Sequence, residues 1–220
     1  VLSNGADFVL LGPEATMLKS SKPVISVCAV RTGSGKSQVS RKIAKILKGR
    51  GKSVVVIRHP MPYGDLKKQA VQRFATYRDL ERHKCTIEER EEYEPHINNG
   101  VVVYAGVDYE RILRKAEKEA DAIIWDGGNN DFSFIESDLY IVVADPHRAG
   151  HELLYHPGET NLRMADVVII NKIDSAKRDD IRKVITNTKS VNPKAEMILA
   201  KSVVTVDYPS LIKGKSVLVV

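Results

Sequence analysis

The chain has 220 residues, 43% of them hydrophobic, enough for one α/β domain with a buried core. No apolar run approaches the roughly 20 residues of a membrane span and no signal-peptide pattern opens the chain, so a cytoplasmic protein that avoids membranes is expected. Thirty-four Lys and Arg against 28 Asp and Glu leave a charge of +6; without a nucleic-acid motif, this is assigned to small phosphorylated ligands or to a heat-adapted surface, not to nucleic acid.

Residues 1–22 read as a remnant or connector from a preceding domain, with Phe8 to Leu11 left from an earlier element, and residues 23–220 as the main domain. A β-rich run at 24–30 leads into Arg31, Thr32, Gly33, Ser34, Gly35, Lys36, Ser37 and Gln38. Successive backbone N–H groups at a helix start form an anion nest, Lys36 can reach outer phosphates, and the Ser37 hydroxyl can ligate Mg2+. This is a P-loop in which Val30 stands where the usual pattern has its first Gly. Val39, Ile43, Ile46 and Leu47 then mark an amphipathic helix over 36–49. Cys28 lies in the first strand and Cys85 in a polar stretch with no C-x-x-C, so free thiols are expected.

A second strand at 53–58 ends in Arg58-His59-Pro60-Met61-Pro62-Tyr63-Gly64-Asp65. Helices are expected at 64–80 and 86–93, the run EEREEYE in the latter forming a solvated acidic face. A strand at 101–104, a helix at 109–120 and a strand at 121–125 follow. The last ends in Asp126, placed to hold Mg2+ through water, with Gly127-Gly128 letting the backbone approach a γ-phosphate. The strand 139–144 ends in Asp145 and runs into Pro146-His147-Arg148-Ala149-Gly150-His151-Glu152. Arg58, His59, Arg148 and His151 at strand tips suit a second anionic-ligand pocket.

The strand 167–171 ends in Asn171-Lys172-Ile173-Asp174. A carboxylate there can accept two hydrogen bonds from guanine, whereas adenine presents the opposite edge; the alternative is a helix cap for the helix expected at 178–190. Strands at 196–200 and 217–220 close the pattern, with Ala200 and Lys201 added to the nucleotide-binding set. Continuous Val/Ile strands alternating with helices give an α/β fold, a mostly parallel sheet flanked by helices of the P-loop containing nucleoside triphosphate hydrolase type, with ligands at the carboxyl ends of the strands.

With these residues in hand the chain resembles the archaeal cyclic 2,3-diphosphoglycerate synthetase family, whose members are also labelled predicted GTPases. The likeness runs from about Asp7 to Val220 through AVRTGSGKSQ, RHPMPYGDLKKQAVQRF, EEREEYEPHI, GVVVYAGVDYE, WDGGNNDF, HPGETN and MADVVIINKID. It implies NTP-dependent closure of a phosphoanhydride in 2,3-bisphosphoglycerate, with ATP or GTP and Mg2+. Lys36, Mg2+ and nearby Arg side chains, Arg31 first among them, would neutralise the crowded negative charge, with Asp126 holding the Mg2+ through water. It also implies further domains of the same polypeptide, leaves a homodimer open, and sets a P-loop ATP synthetase against the alternative of a GTPase acting as a regulatory or assembly switch. A metallochaperone reading is disfavoured by the lack of C-x-x-C or a His-rich tract.

Overall fold

The computed structural model describes residues 1–61, 64–128 and 131–217. Among the described residues eight strands form one sheet in the order β3-β4-β2-β5-β1-β6-β7-β8: β1 (Val24–Ala29), β2 (Val54–Arg58), β3 (Gln72–Phe74), β4 (Val102–Ala105), β5 (Ala122–Asp126), β6 (Leu139–Ala144), β7 (Val167–Ile170) and β8 (Glu196–Leu199). Every neighbouring pair is parallel except β3 with β4. The central strands are apolar along their length because helices cover both faces; one apolar cluster centres on Trp125, Ile123 and Ile112, the other on Phe74, Val56 and Tyr93. The helices are α1 (Lys36–Gly49), α2 (Tyr77–Arg82), α3 (Ile87–Asn98), α4 (Tyr109–Ala116), α5 (Gly158–Met164), α6 (Arg178–Val191) and α7 (Pro209–Ile212). Among the described residues no helix is long and apolar enough to cross a membrane.

The expected fold class holds, and several elements differ; the short helix α7 has no expected counterpart. The helix expected at 64–80 is instead a turn, the edge strand β3 and the short helix α2. The cause lies at Gly106, whose φ of +146° brings its backbone so close to Gln69 and Ala70 that a Cβ would strike their carbonyl oxygens. Val107 and Asp108 N–H groups donate to those same carbonyls, which ties residues 69 and 70 to the end of β4. A fresh helix then starts at a Thr76/Asp79 capping box.

The helix expected at 86–93 runs on through Pro95 to Asn98, starting from a second capping box, Thr86 with Glu89. Its EEREEYE run is not a solvated face: Glu89 and Tyr93 are buried, and Glu92 reaches an arginine of the sheet. The period Glu89, Glu92/Tyr93, His96 marks this inward side, a signal hidden by the charge of the run. The strand expected at 217–220 falls almost wholly on 218–220, outside the described residues, as do the readings at Pro62, Tyr63, Asn129 and Asn130. Phe8 to Leu11 is exposed, and Leu18 bridges to Ile135.

The helix α5 has no counterpart among the expected elements. It opens at Gly158 directly against the first residue of the phosphate loop; a Cβ at Gly158 would overlap the carbonyl oxygen of Val30. Val30 is buried, so the position normally held by Gly is a packing position here.

Candidate functional site

The loop between β1 and α1 has the backbone shape that its glycines predict. Gly33 and Gly35 have φ of +81° and +104°, conformations that L side chains rarely adopt. The buried Ser34 hydroxyl donates to the Arg31 carbonyl at 2.9 Å, closing the loop on itself. Asn171 donates its amide to the Ser34 carbonyl at 2.9 Å, and Lys172 Nζ donates to the Gly33 carbonyl at 2.6 Å. Lys172 also pairs with Asp145 at 2.9 Å. Asn171 and Lys172 therefore brace the phosphate loop from the tip of β7, and Asp145, the second strand-end carboxylate, anchors that brace. A Cβ on Gly35 would collide with the Asn171 amide. Gly35→Ala is accordingly expected to cost roughly 1–3 kcal/mol of stability and to abolish measurable nucleotide binding in calorimetry; wild-type affinity in that variant would show that the brace is dispensable.

Asp126, at the tip of β5, is fully buried and lies at the centre of the charge network. Lys36 Nζ reaches its Oδ1 at 2.5 Å, Arg58 Nη1 its Oδ2 at 2.8 Å, and His96 Nε2 the same oxygen at 3.2 Å. Arg58 is itself only 3% exposed and pairs with Glu92 at 2.8 Å. Burial alone would push the Asp126 carboxyl up, but the Arg58 and Lys36 charges and His96 hold it well below the usual carboxylate range. His96 and Glu92, both on α3, are site residues that the sequence does not single out.

This geometry bears on metal binding. Asp126, expected to hold Mg2+ through water, accepts from Lys36 on one oxygen and lies within hydrogen-bonding distance of Arg58 and His96 on the other. Ser37, half-buried at the start of α1 and lining the loop's cavity, fits a hard cation that prefers oxygen.

The cavity over the loop measures about 670 Å3 and is lined by Lys36, Ser37, Arg58, His59, Gly128 and Ser202, with Arg31, Thr32, Gly33, Ser34, Gly35 and Gln38 along one side. A smaller cavity of about 360 Å3 lies on the other flank of Arg31, Thr32 and Gly33 and holds Arg148, His147 and Asp145. The four residues assigned to one anion pocket thus separate. Arg58 and His59 face one cavity, Arg148 faces the other and is exposed, and His151 lines neither; it approaches Arg31 at 3.5 Å. Arg58 is moreover neutralised by Asp126 and Glu92, so its charge is not free for a further anion.

Asp174 is exposed, and its Oδ1 accepts from the Ser202 N–H at 2.9 Å. Ala200 contributes backbone only: its N–H donates to Ile170 and its carbonyl accepts from Ile173, which ties β8 to the Asn171–Asp174 turn, while the Lys201 side chain is exposed.

Strand, glycine loop, helix and brace together decide the class. This is a P-loop nucleotide-binding domain. Residues 107–199 match the family described as CobW/HypB/UreG, nucleotide-binding domain. The P-loop domain is similar in fold to the hydrogenase maturation factor HypB of Archaeoglobus fulgidus, with a TM-score of 0.52, 15% identity, and 82% of this chain and 81% of that one covered. At the level of sequence it is 71% identical, over 99% of its length and 49% of the relative's, to a protein of Thermococcus kodakarensis named arginine synthetase ArcE. It is 25% identical, over 98% of its length and 53% of the relative's, to a cyclic 2,3-diphosphoglycerate synthetase of Thermococcus sibiricus. The resemblance carried by the motifs is therefore real but distant, and a much nearer relative carries another name. The chain spans about half the length of these curated relatives.

Proposed function

We propose that this P-loop domain is the nucleotide-binding part of an NTP-dependent synthetase that forms arginine. The observation that carries the reading is the 71% identity, sustained over 99% of the chain, to the protein named arginine synthetase. Of the two strand-tip arginines that would hold a second phosphorylated ligand, Arg58 is already paired twice, with Asp126 and Glu92, while Arg148 lies in the smaller cavity on the other flank of the loop.

Chemically, a guanidinium is assembled by replacing an oxygen on a urea-level carbon with nitrogen. Transfer of a γ-phosphoryl group to that oxygen turns it into a leaving group, and a P-loop positions and neutralises such a phosphoryl donor. Lys36 and the loop N–H groups receive the phosphates, Arg31 on the loop's rim faces the charge that develops on transfer, and Ser37 would hold a divalent cation, which shields phosphate charge when bound. Between turnovers Asp126 holds Lys36 in place. The full-length protein, given ATP or GTP with Mg2+, a ureido amino acid and ammonia, is expected to release arginine and phosphate in equal amounts by mass spectrometry and phosphate assay. Nucleotide hydrolysis with no arginine would sink the proposal.

On the base side, the Asn171–Asp174 turn supports guanine. Asp174→Asn is expected to weaken GTP by about 2 kcal/mol, roughly thirtyfold, for a lost pair of hydrogen bonds to a charged acceptor, and ATP very little. Equal small losses would make Asp174 only the acceptor of the Ser202 N–H.

A further inference from the structure

A further cavity is bordered by Asp131, whose carboxylate accepts from the N–H of Gly128 in the lining of the phosphate cavity. It measures about 390 Å3, within the range of small-ligand sites. Its walls are aromatic: the Tyr109 and Phe134 rings stack at 3.9 Å and 6°, and Trp125 meets Phe134 edge-on at 4.6 Å. Phe132 and His156 meet at 6.4 Å on another side. Asp131 is the one acidic residue among the described lining residues.

Asp131 also faces the phosphate side. Its Oδ1 accepts from the Gly128 N–H at 2.6 Å, and its Oδ2 lies 3.0 Å from His59 Nδ1; Gly128 and His59 both line the cavity over the P-loop. A group held by this carboxylate therefore sits next to the phosphate end of the nucleotide site. On the other side, burial and the nearby Asp131 carboxylate both push the Tyr109 hydroxyl up, as expected where a carboxylate borders the aromatic wall.

We infer that the aromatic cavity with Asp131 at its edge binds a guanidinium-bearing amino acid. A planar, weakly hydrated cation is the ligand that such walls select: its faces stack on aromatic rings and its fork of N–H groups matches a carboxylate. A phosphorylated acid is disfavoured, because it would bring negative charge to Asp131 without a Lys or Arg among the described lining residues to meet it. An ammonium is also a poorer fit, since it is compact and strongly hydrated and cannot stack. The inference rests on the arginine-forming reading for which amino acid is bound, but the cavity makes its own demand for a planar cation.

The test uses the chain's single tryptophan, Trp125, which lies in the cavity wall. Its fluorescence is titrated at pH 8 with L-arginine, methylguanidinium, L-lysine and L-norvaline. Saturable changes are expected with L-arginine and methylguanidinium, at least tenfold weaker ones with L-lysine, and none with L-norvaline. Asp131→Asn should weaken L-arginine at least tenfold and Phe132→Leu several-fold, with unchanged thermal unfolding transitions as the check on folding. No saturable response, equal response to L-lysine, or unchanged affinity in both variants overturns the assignment. Arginine formation by the full-length protein with an apparent affinity untouched by Asp131→Asn keeps the reaction and removes the cavity. Saturable guanidinium binding without arginine formation keeps the cavity and removes the reaction.

Discussion

Asp126→Ala is expected to lower the unfolding free energy by about 3–5 kcal/mol, the cost of leaving a buried charge without its partner. The orphaned group is Arg58, 3% exposed, which would keep only Glu92; Lys36 and His96 lose their acceptor at the same time. Denaturant unfolding of the two proteins gives the difference directly. Because the native carboxyl is held far below its unfolded value near 3.9, its contribution is complete above that value and is lost as the pH falls through the native one. The wild type should therefore lose stability on acidification more steeply than the variant. A loss below about 1 kcal/mol at neutral pH, the range of exposed ion pairs, would mean that the network adds nothing beyond surface pairing.

Lys36→Ala is expected to weaken ATP or GTP roughly a hundredfold, about 3 kcal/mol for the loss of a cation on the phosphates. From the sequence alone this would be the removal of one exposed charge with the fold untouched. In the structure Lys36 is bonded to the buried Asp126, so the variant should also be less stable, by about 1 kcal/mol, since Arg58 and His96 still hold the carboxylate. Calorimetric titration measures the first effect and thermal unfolding the second. Unchanged nucleotide affinity would remove Lys36 from the phosphate site.

The contrast shows what the chain reveals on its own. Val24–Ala29 and Leu139–Ala144 are legible because a strand buried on both faces needs an unbroken apolar run, and the loop because only glycine readily supports its positive φ angles. The sheet tips are legible as the place for ligands. What each polar side chain does there is not, because that depends on partners distant in sequence: Arg58 meets a carboxylate 68 residues away, and Asn171 a carbonyl 137 residues away. A run such as Glu88 to Glu94 reads as solvent-facing until one learns that its inner side lies over a buried arginine. The break at residues 64–80 is hidden for the same reason, since it is imposed by Gly106 from beyond the next strand in the chain.

The contact between Gly158 and Val30 joins the phosphate loop to the border of the aromatic cavity. With no side chain between helix and loop, the first residue of the phosphate nest and the start of α5 form one mechanical body, and the two residues just before it, His156 and Pro157, border the aromatic cavity. Any coupling carried through this contact is reciprocal. Whatever factor bound nucleotide applies to affinity in the aromatic cavity, a ligand there applies to the nucleotide, so dissociation constants measured in both orders of addition must close a cycle.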